Sequence, residues 1–181
     1  MSTSTVFYII VAVMAGLSIG AGVLFPAIGQ ARAVSSAMDA MARQPDQAAT
    51  ITRNLFIGLA MIESQALYVL IVALILLFAD PLAGQLPAAQ ARGGPGIWFL
   101  IASAGIAALA ITFGTTMSAL GQGRVTAAAM ESIAEQPAMR DQVSTTLFIS
   151  LAFLESLALY ALIVSLILLF ANPLLSAALG G

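Results

Sequence analysis

Residues Leu55–Leu82 read LFIGLAMIESQALYVLIVALILLFADPL, and Leu147–Leu174, 92 residues later, read LFISLAFLESLALYALIVSLILLFANPL. The two stretches are identical at 21 of 28 aligned positions. Each is a continuous apolar run that can cross a hydrocarbon core of ~30 Å as a helix, and neither alternates as a barrel strand would. The repeated stretch therefore predicts an all-α membrane protein built from two copies of one unit.

Each copy carries one carboxylate near the middle of its apolar run, Glu63 in the first and Glu155 in the second. A charge at the centre of a membrane costs ~2.5–3.5 kcal/mol on insertion scales. Both glutamates occur in the same local sequence, E-S-x-A-L-Y, so the chain carries this unfavourable group twice. The repetition favours a functional role for the glutamates over a purely structural one. An ionised glutamate in lipid must be protonated, paired or bound to a cation.

The composition agrees with a membrane protein and excludes several classes of function. Hydrophobic residues make up 61% of the chain and charged residues only 8%, against about 25% charged residues in soluble domains. The chain has no Cys and no His, so we expect no disulfide, no transition-metal site and no organic cofactor. No basic patch suggests nucleic acid. We expect Val6–Leu24 to be a retained first helix rather than a signal peptide.

The repeat divides the chain into four predicted spans at about 6–30, 54–79, 97–122 and 145–171. We predict a first antiparallel hairpin over 1–82, a Pro-, Gly- and Ala-rich linker over 83–96, and a second hairpin over 97–181. Both copies run in the same direction, which argues against the inverted repeats of many secondary transporters.

Arginines predict the orientation of the hairpins. Those near the two hairpin loops are Arg32, Arg43, Arg53, Arg124 and Arg140, and only Arg92 lies in the linker. By the positive-inside rule the hairpin loops face the cytoplasm and the termini face the opposite side.

The spacing of the hairpins places an amide opposite each carboxylate. Residues equidistant from the turn of an antiparallel hairpin lie at the same depth. Gln30 and Glu63 are equidistant from a point just after Pro45, and Gln122 and Glu155 are related in the same way in the second hairpin. Each glutamate is therefore expected to face a glutamine of its own hairpin.

Hydroxyl groups follow both carboxylates. Ser64 and Ser156 come next in sequence, rotated ~100° around the helix, which suits the site of a neighbouring hairpin as well as their own. Tyr68 and Tyr160 lie five residues beyond the glutamates and can anchor a carboxylate. Carboxylate, amide and hydroxyl oxygens suit a small hard cation. Taken singly, a membrane Ser or Tyr more often serves helix packing or anchors an interface.

The first helix of each hairpin is rich in small residues, which let membrane helices approach closely. The glycines are Gly16, Gly20, Gly22, Gly29, Gly105, Gly114, Gly121 and Gly123. They predict a closed ring in which the first helices form a crowded inner layer. We expect a bulky side chain at Gly22 or Gly114 to prevent assembly.

With these features the chain resembles the c-subunit, the proteolipid of F-type ATP synthases, in both hairpins and not in the linker. The resemblance implies a non-catalytic rotor-ring protein in the inner membrane of a bacterium or archaeon, surrounded by lipid and facing the stator's a-subunit. It also implies that the polar loops hold the central stalk. The loop residues concerned are Arg43, Gln44, Pro45, Glu135, Gln136 and Pro137.

The site residues resemble the pattern of the sodium-binding members of that family, which carry Gln in helix one and Glu-Ser with a later Tyr in helix two. The resemblance implies that backbone carbonyls of Met61 and Phe153 complete the sites, and that each glutamate binds one Na⁺ or H⁺, with Na⁺ favoured. One departure is Gln65 against Leu157, where sodium-type rings often have Thr. We expect the two sites to be inequivalent, with Leu157 leaving the Glu155 site either weaker for Na⁺ or proton-selective.

Other readings stay open from sequence alone. Tandem fusion looks like the V-type ATPase proteolipids, although those commonly keep one carboxylate per four helices. A stand-alone four-helix ion carrier or channel, and a structural membrane protein, are further alternatives. A carrier has no need of two polar Gln-Pro loops, and only a ring protein should form a large species in mild detergent.

Overall fold

The computed structural model describes residues 2–179, so the outermost residues of the two predicted hairpins, 1 and 180–181, lie outside it. The described residues form helices and turns without a β-strand. The helices are α1 (Thr3–Arg43), α2 (Ala48–Phe78), α3 (Leu86–Ala91), α4 (Gly94–Glu135), α5 (Arg140–Phe170) and α6 (Leu175–Leu179). The predicted all-α class is thereby confirmed.

Four helices of the described chain are long and apolar enough to cross a membrane. They contain α1, α2, α4 and α5, in the order that the four predicted apolar segments require. The protein is therefore a multi-pass membrane protein. The first helix of each hairpin continues well past its apolar segment and ends only at the polar loop, at Arg43 and Glu135.

The same dipeptide makes the turn of both hairpins. Gln44 and Gln136 leave the helical conformation with nearly equal backbone angles, φ −135° and ψ 73° in one and φ −134° and ψ 79° in the other. The proline that follows disfavours helical angles in the residue before it and begins a short 3₁₀ turn, Pro45–Gln47 or Pro137–Met139. Because the two turns match, the two hairpins have the same local geometry.

The helices pack in two layers. In one layer α1 lies along α4, and in the other α2 and α5 each lie against the first helix of their own hairpin. Helix α2 also packs on α4, so it occupies the groove between the two first helices. Helix α4 is consequently the most enclosed of the four long helices, with contacts to α1, α2 and α5.

Two glycines allow the close approach of α1 and α4. A Cβ atom added at Gly123 would lie 2.5 Å from the Cα atom and 2.7 Å from the carbonyl oxygen of Gly29. One added at Gly29 would lie 2.8 Å from the carbonyl oxygen of Ala119. All three neighbours are backbone atoms, which no rotamer change can move away. The contact between the two first helices therefore requires glycine at both positions.

Gly22 and Gly114, which the sequence picked out for assembly, have a different role. A Cβ atom at Gly22 would lie 2.7 Å from Cγ1 of Val69, and one at Gly114 would collide with Ala161. Val69 is on α2 and Ala161 is on α5, so each glycine admits the second helix of its own hairpin. The structure therefore corrects the contact that a bulky residue would disturb, which is the one between the two helices of a hairpin. The expected loss of assembly stays a prediction.

The linker is packed rather than extended. Its helix α3 buries Leu86 and Ala89 and lies against the start of α4. Gly93 has a φ of 71°, in the region that favours glycine, and this residue turns the chain into α4. A Cβ atom at Gly96 would lie 2.5 Å from the carbonyl oxygen of Ala89. The first helix of the second hairpin thus begins at Gly94, three residues before the predicted start at 97.

The second helix of each hairpin ends in the same way. The backbone N–H of Leu82 donates to Asp80 Oδ1 at 2.9 Å, and that of Leu174 donates to Asn172 Oδ1 at 3.0 Å. A charged and a neutral side chain therefore make the same turn at equivalent positions.

Candidate ion-binding site

Both predicted glutamine–glutamate pairs are present in the structure. The side-chain amide of Gln30 donates to Glu63 Oε2 at 2.7 Å, and that of Gln122 donates to Glu155 Oε2 at 2.9 Å. Each pair joins the first and second helices of one hairpin, as expected for residues equidistant from the turn.

The other partners of Glu155 come from the first hairpin. Ser64 Oγ lies 3.0 and 3.1 Å from the two carboxylate oxygens. Gln65 Nε2 donates to Oε2 at 2.6 Å, and the hydroxyl of Tyr68 donates to Oε1 at 2.5 Å. We call these three residues, with Glu155 and Gln122, the inter-hairpin site. Its single carboxylate, on α5, is hydrogen-bonded to side chains of α2 and α4.

Helical spacing explains why one stretch of α2 supplies three of these groups. Residues three and four apart share a helix face, which puts Met61, Ser64, Gln65 and Tyr68 side by side. Ser64 Oγ also lies 2.7 Å from the carbonyl oxygen of Met61. The hydroxyl has one hydrogen, so it can donate either to this carbonyl or to the carboxylate of Glu155 at any moment. The Met61 carbonyl therefore belongs to the same small polar cluster.

Two amide oxygens at this site are buried without a hydrogen-bond partner among the described residues. They are Oε1 of Gln65 and Oε1 of Gln122, whose side chains are both 0% exposed. Leaving a buried acceptor unpaired costs about 1–3 kcal/mol. The nitrogen of each amide faces Glu155, so the oxygens would face a cation beside this carboxylate after the amides turn about their terminal bonds. Carboxylate, amide, hydroxyl and carbonyl oxygens together fit a small hard cation.

Glu63 has a less complete environment. It is exposed, and within residues 2–179 its carboxylate is hydrogen-bonded only to Gln30. We call Gln30 and Glu63 the carboxylate edge of the chain. Among the described residues, no side chain of the second hairpin is hydrogen-bonded to this edge.

The opposite side of the chain repeats the hydroxyl groups without a glutamate to receive them. Ser156 Oγ donates to the carbonyl oxygen of Phe153 at 2.8 Å, as Ser64 does to Met61. Leu157 and Tyr160 are 57% and 61% exposed. We call Ser156, Leu157 and Tyr160 the hydroxyl edge. It is the counterpart, in the second hairpin, of the residues that enclose Glu155.

The structure corrects the grouping of the site residues by hairpin. Ser64 and Tyr68 contact Glu155 and not Glu63, and Gln65 stands beside Glu155 where we had expected Leu157 to act. Leu157 therefore gives no reason for a weak Glu155 site. The sequence does contain a signal for Gln65. Its spacing places it on one helix face with Ile62 and Val69, which are apolar, and this indicates a polar side chain on a buried face. In the structure all three residues are 0% exposed.

The residues expected to meet a stalk lie together at the loop end of the chain. Arg43, Pro45, Glu135 and Gln136 are exposed, while Gln44 and Pro137 are half-buried. The contact of these residues with a central stalk stays a prediction.

The crossed arrangement can be tested with a tyrosine variant that has an internal control. Tyr68→Phe should make Glu155 react faster with a hydrophobic carbodiimide, because the carboxylate loses a hydrogen bond worth about 1.5–3 kcal/mol to a charged group. The reactivity of Glu63 should stay unchanged. Peptide mass mapping of the labelled protein measures both glutamates at once. Faster reaction of Glu63 in place of Glu155 would show that each tyrosine serves its own hairpin.

Comparison with known proteins finds the same unit twice. A family model described as the ATP synthase C-subunit matches residues 13–76 and 95–168. ATP synthase c-subunit 2 of Cereibacter sphaeroides (strain ATCC 17029 / ATH 2.4.9) is 56% identical over 70 residues, which are 39% of this chain and 84% of the relative. The ATP synthase c-subunit of Thermosynechococcus vestitus (strain NIES-2133 / IAM M-273 / BP-1) is 48% identical over 79 residues, 42% of this chain and 96% of the relative. Less than half of this chain thus covers nearly a whole relative.

Proposed function

This chain belongs to the ATP synthase C-subunit family, and we propose that it is the ion-carrying rotor protein of a rotary ATP synthase or ATPase. Copies of the chain form a closed ring in the membrane, and each glutamate carries one ion past a stator. The observation that carries this proposal is the inter-hairpin site, in which Glu155 of one hairpin is enclosed by Ser64 and Tyr68 of the other.

The two edges of the chain support assembly into a ring. The relation between the two hairpins places the hydroxyl groups of the first around the glutamate of the second. Repeating that relation puts the hydroxyl edge of one chain against the carboxylate edge of the next. Such a head-to-tail contact closes into a ring when the rotation between neighbours divides a full turn. Glu63 would then acquire a serine and a tyrosine partner like those of Glu155.

The donor set supports Na⁺ as the preferred ion. A proton needs the carboxyl group and one acceptor, whereas Na⁺ needs several oxygens in fixed places. The inter-hairpin site offers the carboxylate, two amide oxygens without partners, the Ser64 hydroxyl and the Met61 carbonyl. Polar groups are expensive at membrane depth, so a site with more of them than protonation requires favours a cation. H⁺ remains the competing ion for the same carboxylate.

Rotation follows from neutralising the carboxylate. With an ion bound, the glutamate and its cation together carry no net charge and can face lipid at a lower cost. At the stator's a-subunit the ion leaves, and the free carboxylate stays in a polar contact until another ion binds. The protein contributes no catalytic group, since ATP chemistry takes place elsewhere in the complex.

The proposed orientation places both hairpin loops in the cytoplasm of a bacterium or archaeon, where they contact the central stalk. The arginines around the loops support it by the positive-inside rule. The exposed Arg43 in one loop and Glu135 in the other give the stalk surface alternating charges. A stand-alone carrier is less consistent with the chain, because it would leave the carboxylate edge and the hydroxyl edge unused.

Carbodiimide labelling in the presence of salt tests the proposal. The reagent should label Glu63 and Glu155 of the purified ring, because it attacks carboxyl groups in apolar surroundings. Adding NaCl at constant ionic strength should slow this labelling, and KCl should not. Glu131 and Glu135, which are exposed near the loops, serve as internal controls. A label mainly on these controls would refute the ion site, and a small species in mild detergent would refute the ring.

A further inference from the structure

The two copies of the repeat differ in one side chain that hydrogen-bonds to the glutamate of the ion site. Both copies keep the glutamine, glutamate, serine and tyrosine of the site. The residue two after the glutamate is Gln65 in the first copy and Leu157 in the second. In the folded chain Gln65 does not serve the glutamate of its own copy, because its amide donates to Glu155.

We propose that Gln65 is a specificity-determining ligand of the Glu155 site, so that each chain carries one tight and one loose Na⁺ site. Glu155 is the tight site and Glu63 is the loose one. The inference rests on the proposed sodium-carrying function and on assembly of the chain with its own copies. It reverses the expectation from sequence, which placed the weaker site at Glu155.

The contacts of Gln65 support a role as a ligand. Its Nε2 atom lies 2.6 Å from Glu155 Oε2 and 3.5 Å from the carbonyl oxygen of Met61. Its Oε1 atom is buried and has no hydrogen-bond partner in the described part of the chain. Its side chain is 0% exposed, so this oxygen does not face bulk solvent. A cation at the site would provide the missing partner, either directly or after the amide turns about its terminal bond.

The Glu63 site lacks this group. In the ring, the residue equivalent to Gln65 at the Glu63 site is Leu157 of the adjacent copy, on the exposed hydroxyl edge. A leucine side chain has no atom that can coordinate a cation or hold a water molecule. The leucine also makes the surroundings of the site less polar, and a less polar environment disfavours the bound cation. The Glu63 site therefore has one oxygen ligand fewer than the Glu155 site.

Alternation around the ring follows from the tandem arrangement. Each chain contributes one interface inside itself and one interface to the next copy, so tight and loose sites must alternate. At a Na⁺ concentration between the dissociation constants of the two sites, the Glu155 sites are filled and the Glu63 sites hold no Na⁺. The ring is then half loaded with Na⁺.

The difference can be measured at each glutamate in the assembled ring. Carbodiimide labelling at fixed pH is followed by peptide mass mapping while NaCl replaces KCl, and the Na⁺ concentration that halves the labelling rate is read for each glutamate. We expect that concentration to be about ten- to hundredfold lower at Glu155 than at Glu63, the factor expected for one ligand to a charged group. Equal concentrations would overturn the inference while leaving the sodium-carrying function in place.

Exchanging the two residues gives matched variants, since each takes the side chain that the other copy already carries. Gln65→Leu should raise the half-protecting Na⁺ concentration at Glu155 to that of Glu63, without changing Glu63. Leu157→Gln should lower the concentration at Glu63 alone. An effect of Gln65→Leu on Glu63, or on neither glutamate, would overturn the role of Gln65. Absence of Na⁺ protection at both glutamates of the unmodified ring would overturn the sodium function and this inference together.

Discussion

Glu155→Gln should reduce ion transport by the assembled complex to the background level. Glutamine has nearly the same shape and keeps hydrogen-bonding capacity toward Gln122 and Tyr68, but it cannot exchange a negative charge with an ion. Every site of a rotor must pass the stator in turn, so a neutral side chain at half of the sites stops rotation. Ion uptake driven by ATP into vesicles that contain the complex measures the loss. Glu63→Gln should have the same effect.

Asp80→Asn is the matched control for these charge-removing variants. Asp80 accepts a hydrogen bond from the N–H of Leu82 in the turn that follows α2, and Asn172 makes the same turn after α5. Asparagine at position 80 should therefore fold and transport normally. Transport that survives Glu155→Gln and Glu63→Gln together would show that the ion does not travel on these carboxylates.

Gly123→Leu should prevent the two hairpins from packing together. Even a Cβ atom at this position would meet the backbone of Gly29 at 2.5 Å, and backbone atoms cannot move aside as a side chain can. Overpacking typically costs about 1–3 kcal/mol, and a clash with backbone belongs at the upper end of that range. The chain should then fail to give a large species in mild detergent, as measured by native mass or sedimentation.

Ala21→Phe is a suitable control for the glycine variant. Ala21 lies on α1 and is exposed, and its counterpart in the second copy is Phe113, which is 64% exposed. A large side chain at position 21 should consequently leave assembly intact. Normal yield of the large species from Gly123→Leu would show that α1 and α4 do not approach as closely as the structure places them.

The predictions from sequence were accurate where a rule acts along one helix or across one turn. The length of the apolar runs predicted four spans, and the internal repeat predicted two hairpins. The rise per residue along a helix placed Gln30 level with Glu63, and Gln122 level with Glu155. The glycines were recognised as packing residues, but the partner of each glycine was not. Gly22 faces Val69 of its own hairpin, whereas Gly123 faces Gly29 of the other.

Counting residues along each helix is enough to give the depth of every polar group in the membrane. It does not give which groups meet at that depth, because their meeting depends on how far each helix is rotated about its axis and on which helix lies beside it. The contact of Gly29 with Gly123 draws α1 and α4 together, and α2 then lies in the groove between them. Only this lateral packing turns Ser64, Gln65 and Tyr68 toward Glu155 and leaves Glu63 at an open edge.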